Sequence, residues 1–132
     1  MKSWAGAVGL MQLMPAASRQ FKVQNAYDPE QNIHAGVMVL RYLDGLWVKT
    51  VADPNERLKF VLASYNVGVS HVIDARNLAA KYGKDPTKWD DNVETYLMLK
   101  TKRQYYKDPV VSAGILQVYG AGELREGSAR KI

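Results

Sequence analysis

Residues 28–47 read DPEQNIHAGVMVLRYLDGLW, and this stretch decides the fold class. Aspartate is a good helix cap because its side-chain oxygen accepts an otherwise unpaired backbone amide, and proline suits the first helical position. Apolar side chains then recur every three or four residues at Ile33, Val37, Leu40, Leu43 and Trp47. This spacing predicts one long amphipathic helix that begins at Asp28-Pro29.

The same start signal occurs three more times, at Asp53-Pro54, Asp85-Pro86 and Asp108-Pro109, and each pair predicts a helix start. Apolar residues at helical spacing follow in residues 58–65, 69–80, 89–97 and 110–115. Residues 10–19 also show a helical apolar face, interrupted at Pro15. Because no segment sustains a two-residue alternation, we expect an all-α fold in which strands are minor.

The composition and charge of the chain exclude several classes of protein. Its 132 residues, 47% of them hydrophobic, are enough for one compact domain. The formal charge of +5 mildly favours anionic partners such as nucleic acid, an acidic membrane surface or acidic cell-wall polymers. The basic residues are scattered, and only Lys100, Lys102 and Arg103 come close to a cluster. A solvated surface explains most of them, and we expect no nucleic-acid partner. The chain has no cysteine, and no apolar run approaches the roughly 20 residues that span a membrane.

Two short segments contain polar side chains that a hydrophobic core does not need. In residues 5–15, AGAVGLMQLMP, Gln12 is an amide inside an apolar run. A buried amide needs partners, so this side chain is either satisfied by the backbone or directed at a polar ligand. In residues 63–68, ASYNVG, Tyr65 and Asn66 stand at the predicted end of a helix. A phenol ring and an amide suit the CH face and the hydroxyls of a sugar; the alternative is a helix end with a core tyrosine.

Other catalytic signatures are absent from the sequence. His34 and His71 lie on separate predicted helices without metal-ligand spacing, and we expect each to be partly exposed. Ser64 and Ser70 lie outside any GxSxG pattern, which argues against a serine nucleophile. We therefore expect no metal site.

Three segments, in the same order, resemble the motifs of one enzyme family. Residues 6–15, 28–43 and 63–68 are similar to the GxxGLMQLMP, DPxxNIxxGxxYL and AYNAG motifs of peptidoglycan lytic transglycosylases, enzymes related to goose-type lysozyme. Ser64 and Val67 replace the commoner alanines of the third motif. Residues 89–111 further resemble the membrane-bound branch of the family, which carries a binding-protein-like domain in front.

The resemblance implies a lysozyme-like helical fold, incomplete at both ends, that acts on peptidoglycan glycan strands. The bond cleaved would be the β-1,4 link between N-acetylmuramic acid and N-acetylglucosamine, and the product would end in a 1,6-anhydro ring. Met11, Gln12, Tyr65 and Asn66 would line the substrate cleft. No metal or cofactor is implied. One glutamic acid donates the proton and the substrate's N-acetyl group assists, so a second carboxylate is not required.

The family's catalytic glutamate stands in an ESxFxPxA-type motif upstream of the segment that matches residues 3–6. We therefore expect it before Met1 and expect no catalytic residue in this chain. The glutamates present, none in that motif, are Glu30, Glu56, Glu94, Glu123 and Glu126. We predict that the chain does not cleave peptidoglycan unless the upstream helix is supplied. The alternatives are a peptidoglycan-binding module that never cuts, and a helical interaction protein whose motifs are relics.

The resemblance also predicts boundaries and location. We assign residues 1–111 to the lytic-transglycosylase-like domain, without its catalytic N-terminal helix, and residues 112–132 to a divergent, flexible tail. The parent protein is expected in the bacterial cell envelope, in the periplasm or associated with the outer membrane. Residues 1–6 contain no apolar signal-peptide region, so such a parent should begin before Met1. The apolar face that the upstream helix would cover is expected to favour self-association.

Overall fold

A computed structural model of the chain describes residues 2–3, 6–115, 117–119 and 123–125. Its helices are α1 (Pro15–Gln20), α2 (Pro29–Trp47), α3 (Pro54–Val67), α4 (Val69–Lys81), α5 (Glu94–Leu99) and α6 (Arg103–Tyr106), with a π-type turn at Trp89–Val93. Two short antiparallel strands, β1 (Gln117–Tyr119) and β2 (Glu123–Arg125), pair with Val118 opposite Leu124. This architecture confirms the all-α prediction and its allowance for minor strands.

The chain divides into two compact units, Met1–Tyr42 and Leu43–Ile132. The first unit contains α1 and most of α2. Helix α2 begins where the sequence predicts, because the Asp28 carboxylate accepts the backbone amide of Gln31 at 3.1 Å. The buried apolar side chains of this unit include Val8, Leu13 and Ala35.

The helical face predicted for residues 10–19 is wrong in its first half. Helix α1 begins only at Pro15, and residues 9–12 form a turn in which Gly9 and Gln12 have positive φ values of 77° and 50°. The turn is closed by paired backbone hydrogen bonds between Val8 and Leu13, both 2.9 Å long. Because these amides pair across a turn, they are not available for helical bonds.

The core of the second unit is built on three aromatic rings. Phe60 of α3 is fully buried, and its ring centroid lies 5.2 Å from that of Trp47 and 5.2 Å from that of Trp89. Asp53 caps α3 by accepting the amide of Asn55, as its sequence predicts. Helix α4 follows directly and covers the residues predicted for it.

Two of the four Asp-Pro pairs do not begin a helix. The Asp85 carboxylate accepts the amide of Thr87 at 2.8 Å, and the Asp108 carboxylate accepts the amide of Val110 at 3.1 Å. Both pairs lie in turns, so the helix predicted from Pro109 is not formed. An aspartate oxygen supports a turn by the same kind of bond with which it caps a helix, and the local sequence does not distinguish the two.

The helix predicted from Trp89 begins later than expected. Asp90 has a ψ of 129° and Asp91 a φ of 60°, so neither residue is helical, and α5 starts at Glu94. The Trp89 amide instead donates to the Glu56 carboxylate at 2.8 Å. This bond fixes the tryptophan against Phe60 before the helix begins.

A charged cluster lies inside the second unit, contrary to the sequence prediction of a solvated Lys100 and a partly exposed His71. Lys100, Asp74 and His71 are each fully buried. The Lys100 ammonium lies 2.7 Å from a carboxylate oxygen of Asp74 and 2.7 Å from Nδ1 of His71. Since an ammonium group has only donors, this geometry requires a neutral imidazole whose Nδ1 accepts. The prediction failed because Lys100 is paired with Asp74 and His71 in the core.

The start of the predicted tail is attached to this cluster. The Asp74 carboxylate accepts the amide and hydroxyl of Ser112 and the amide of Ala113 at 2.7–3.0 Å. Burial alone would raise the pKa of Asp74, but the Lys100 ammonium and these two amides hold that pKa below its usual value. The flexibility predicted for residues 116, 120–122 and 126–132 falls outside the described residues, and the boundary after residue 111 remains a prediction.

Within the described ranges, no helix combines the length and the apolar character needed to cross a membrane.

Candidate functional site

The turn formed by residues 9–12 presents Met11 and Gln12, the first two predicted site residues. The backbone amide of Gln12 donates to the carbonyl of Gly9 at 3.1 Å, and the side-chain Nε2 of Gln12 donates to the same carbonyl at 2.8 Å. Of the two alternatives left open for Gln12, the backbone therefore satisfies its amide nitrogen. Both Met11 and Gln12 are half-buried, so each keeps part of its side chain at the surface.

A buried side chain of α2 holds this turn in place. Asn32 is 0% exposed; its Oδ1 accepts the amide of Met11 at 2.8 Å, and its Nδ2 donates to the carbonyls of Val8 at 2.7 Å and Ala26 at 2.9 Å. The three bonds join backbone atoms on both sides of the turn to one helix. Sequence reasoning missed Asn32, because an amide beside Ile33 on an amphipathic helix gives no sign of backbone partners up to 24 residues away.

Gly36, one turn further along α2, provides the space into which Met11 packs. A Cβ atom at this position would lie 2.6 Å from the Met11 Cγ and 2.7 Å from the Met11 Cβ. The Met11 Cβ is fixed by its backbone and cannot move aside cheaply. The glycine therefore sets how closely the turn approaches the helix.

We expect Gly36→Ala to lower the free energy of unfolding by about 1–3 kcal/mol, because the added methyl group overpacks the contact with Met11. Gly45→Ala is the matched control on the same helix, where a Cβ meets nothing within 4 Å. There alanine should raise stability by about 0.5–1 kcal/mol through its better helix propensity. Urea denaturation of both variants measures the two changes in the free energy of unfolding. Equal changes of the same sign would contradict the close contact between Gly36 and Met11.

The end of α3 presents Tyr65 and Asn66, the other two predicted site residues. On the inner side, the Ser64 hydroxyl accepts the indole N–H of Trp47 at 2.9 Å, and Val67 is buried. Gly68, with a φ of 98°, ends the helix and starts α4. These contacts fix the inner side of the last turn of α3. The opposite side of this turn faces outward. The structure thus agrees with the predicted placement of both residues at a helix end.

Tyr65 and Asn66 differ in their burial. Tyr65 is half-buried, and this burial raises the pKa of its phenol. Its hydroxyl therefore stays protonated at neutral pH and can donate a hydrogen bond. Asn66 is exposed. The pair places a half-buried phenol ring and an exposed amide at two consecutive residues.

Four of the described carboxyl groups have a pKa that their surroundings displace from its usual value. A general acid needs a raised pKa, and each described carboxyl group with a displaced pKa has it lowered: Glu56, Asp74, Asp85 and Asp108. For Glu56 the first cause is the hydrogen bond from the Trp89 amide and the second is the bond from Lys59. Glu30 and Glu94 are exposed on helices. The side chains of Glu123 and Glu126 lie outside the description.

The four predicted site residues form two pairs. Met11 and Gln12 share one turn within the unit Met1–Tyr42, and Tyr65 and Asn66 share one helix end within the unit Leu43–Ile132. In the part of the chain that the structure describes, no group of three or more His, Cys, Asp or Glu side chains is placed to hold a metal.

Comparison with known proteins identifies relatives of this chain. A family model described as the transglycosylase SLT domain matches residues 1–88, which include both pairs of site residues. The membrane-bound lytic murein transglycosylase F of Desulfosudis oleivorans is 41% identical over 107 residues, covering 81% of this chain and 23% of the relative. The proteins of the same name from Shewanella woodyi and Pasteurella multocida are 41% and 39% identical, covering 80% and 76% of this chain and 22% and 20% of those relatives. The chain spans less than a quarter of the length of these relatives.

Proposed function

The chain belongs to the transglycosylase SLT domain family, and from this membership we propose that it binds the glycan strands of peptidoglycan through Met11, Gln12, Tyr65 and Asn66. The observation that supports the proposal most is the end of α3. There a half-buried tyrosine ring and an exposed amide stand side by side, held by the Trp47–Ser64 bond on the inner side of the helix. A ring can stack on the CH face of a sugar, while the amide pairs with its hydroxyl or N-acetyl groups.

The substrate bond is the β-1,4 link between N-acetylmuramic acid and N-acetylglucosamine. In the parent protein, a glutamic acid protonates the bridging oxygen and the N-acetyl group stabilises the cationic carbon. The sugar's own 6-hydroxyl then attacks this carbon to close a 1,6-anhydro ring and returns its proton to the same glutamate. Such substrate-assisted chemistry needs no second catalytic carboxylate.

We infer that residues 1–132 alone do not complete this reaction. The described carboxyl groups with displaced pKa values all favour the ionised form, which cannot protonate a leaving oxygen. The same observation favours the second candidate, a binding module that holds glycan without cutting it. When a proton donor is supplied, a catalytic domain should cleave the glycan and a binding module should not.

The bacterial cell envelope is the proposed location of the parent protein, in the periplasm or at the outer membrane. The relatives named membrane-bound lytic murein transglycosylase F support this location.

Binding is tested by isothermal titration with soluble glycan fragments made of N-acetylglucosamine and N-acetylmuramic acid. We expect Tyr65→Ala and Asn66→Ala each to weaken affinity about tenfold, since each removes a direct contact with the sugar. Tyr42→Ala, at an exposed tyrosine of α2, is the control and should bind as the unchanged chain does. Unchanged affinity in both site variants would contradict the proposed contacts.

We further propose that the chain associates with itself through exposed apolar side chains. Leu58 and Leu62 lie one turn apart on α3 and are 56% and 53% exposed. Sedimentation velocity should show a weight-average mass that rises with protein concentration. We expect Leu58→Glu with Leu62→Glu to lower that mass, because a charged pair opposes burial of the face. A concentration-independent monomer would contradict self-association.

A further inference from the structure

We propose that Asn32 is a positioning residue that holds the turn of residues 9–12 in its glycan-binding conformation; this inference rests on the function proposed for Met11 and Gln12. Asn32 has no exposed surface, so it acts through the turn and not on a ligand directly. Its amide is bonded at both ends to the backbone of the segment that presents the two site residues.

The Asn32 side-chain amide matches the donors and acceptors around it. Oδ1 accepts from the Met11 amide, while Nδ2 donates to the carbonyls of Val8 and Ala26. A carboxylate has the same shape but only acceptors, and it would face two carbonyl oxygens. An apolar side chain would leave one backbone donor and two acceptors without this partner. The position therefore requires an amide.

Gly9 connects Asn32 to the side chain of Gln12. Gly9 packs directly on the Asn32 amide, and a Cβ at this glycine would lie 2.6 Å from the Asn32 Cγ. The Gly9 carbonyl in turn accepts from both the backbone amide and Nε2 of Gln12. Since Gln12 has a φ of 50°, which non-glycine residues adopt at a cost, this network is what keeps it there.

The test combines Asn32→Ala with a substitution in each pair of site residues and measures affinity for the soluble glycan fragments. We expect Asn32→Ala alone to weaken binding about tenfold. If Asn32 acts through the turn, it should weaken binding little further in a Gln12→Ala chain and by its full factor in an Asn66→Ala chain. An equal factor in both backgrounds, or no loss at all, would overturn the inference and leave the proposed function standing.

A ligand-free measurement separates the two claims and guards against a variant that does not fold. Asn32→Ser keeps one hydroxyl and is the milder change. In this variant, hydrogen exchange at the Met11 amide should be at least about tenfold faster, while exchange at the amide of Phe21, the residue that follows α1, stays the same. Unchanged exchange at Met11 would refute the role of Asn32. If exchange at Met11 becomes faster as expected but the unaltered chain binds no glycan, only the proposed function is refuted.

Discussion

Lys100→Met is expected to lower the free energy of unfolding by about 3–5 kcal/mol, because it leaves the Asp74 carboxylate buried without its counter-charge. Lys100 and Asp74 are both 0% exposed and 2.7 Å apart, so solvent cannot replace the missing ammonium. Asp74 also accepts from Ser112 and Ala113, and we expect the attachment of these residues to α4 to weaken with it. Equilibrium unfolding in guanidinium chloride gives the difference.

Two further variants show whether the loss arises from the unpaired charge. Lys102→Met, two residues away on the surface, is the control and should change stability by less than about 0.5 kcal/mol. Adding Asp74→Asn to Lys100→Met removes the buried carboxylate and should restore part of the loss. If Lys100→Met costs no more than Lys102→Met, the buried ion pair is not a determinant of stability.

Supplying a proton donor is expected to have the largest effect on activity. We would join to Met1 a segment that carries the family's ESxFxPxA-type motif, which the sequence resemblance places upstream of residues 3–6. The fused chain should release 1,6-anhydro muropeptides about 10²–10⁴ times faster than the same fusion with that glutamate changed to glutamine, since this is the usual contribution of a general acid. Chromatography of the soluble products measures both rates.

The same comparison discriminates the two candidate functions. Equal, background release by the glutamate and glutamine fusions would favour a binding module that does not support cleavage. A large difference would favour a catalytic domain. Unchanged glycan affinity in the glutamine fusion would show that the added segment has not disturbed glycan binding.

Much of the fold could be predicted because the local sequence pattern marks the segments that form α2, α3 and α4. Asp28 and Asp53 cap their helices as expected, and the apolar spacing identifies the right helical segments. The sequence prediction fails where a residue far along the chain determines the local conformation. The Asp108 carboxylate binds the Lys81 ammonium at 2.7 Å and the Tyr82 hydroxyl at 3.0 Å, 26 or 27 residues away, and no local pattern indicates such contacts.

The candidate site was predictable in part for the same reason. Tyr65 and Asn66 stand at a helix end, which Gly68 indicates in the sequence. The role of Asn32 was not predictable, because its partners are backbone atoms of a turn that the sequence suggested was helical. The spacing of His71, Asp74 and Leu78 does match the buried face of α4. Predicting that Asp74 is buried would have required a buried partner for its carboxylate. That partner, Lys100, lies 26 residues further along the chain.

The central claim, that Met11, Gln12, Tyr65 and Asn66 bind glycan and that the chain alone does not cleave it, is tested most directly by incubating the unaltered chain with purified peptidoglycan sacculi. After sedimentation, the protein in the pellet and the 1,6-anhydro muropeptides in the supernatant are quantified, the latter by mass spectrometry. We predict that the protein sediments with the sacculi and that no 1,6-anhydro product appears. Release of that product, or failure of the protein to sediment, would contradict the account.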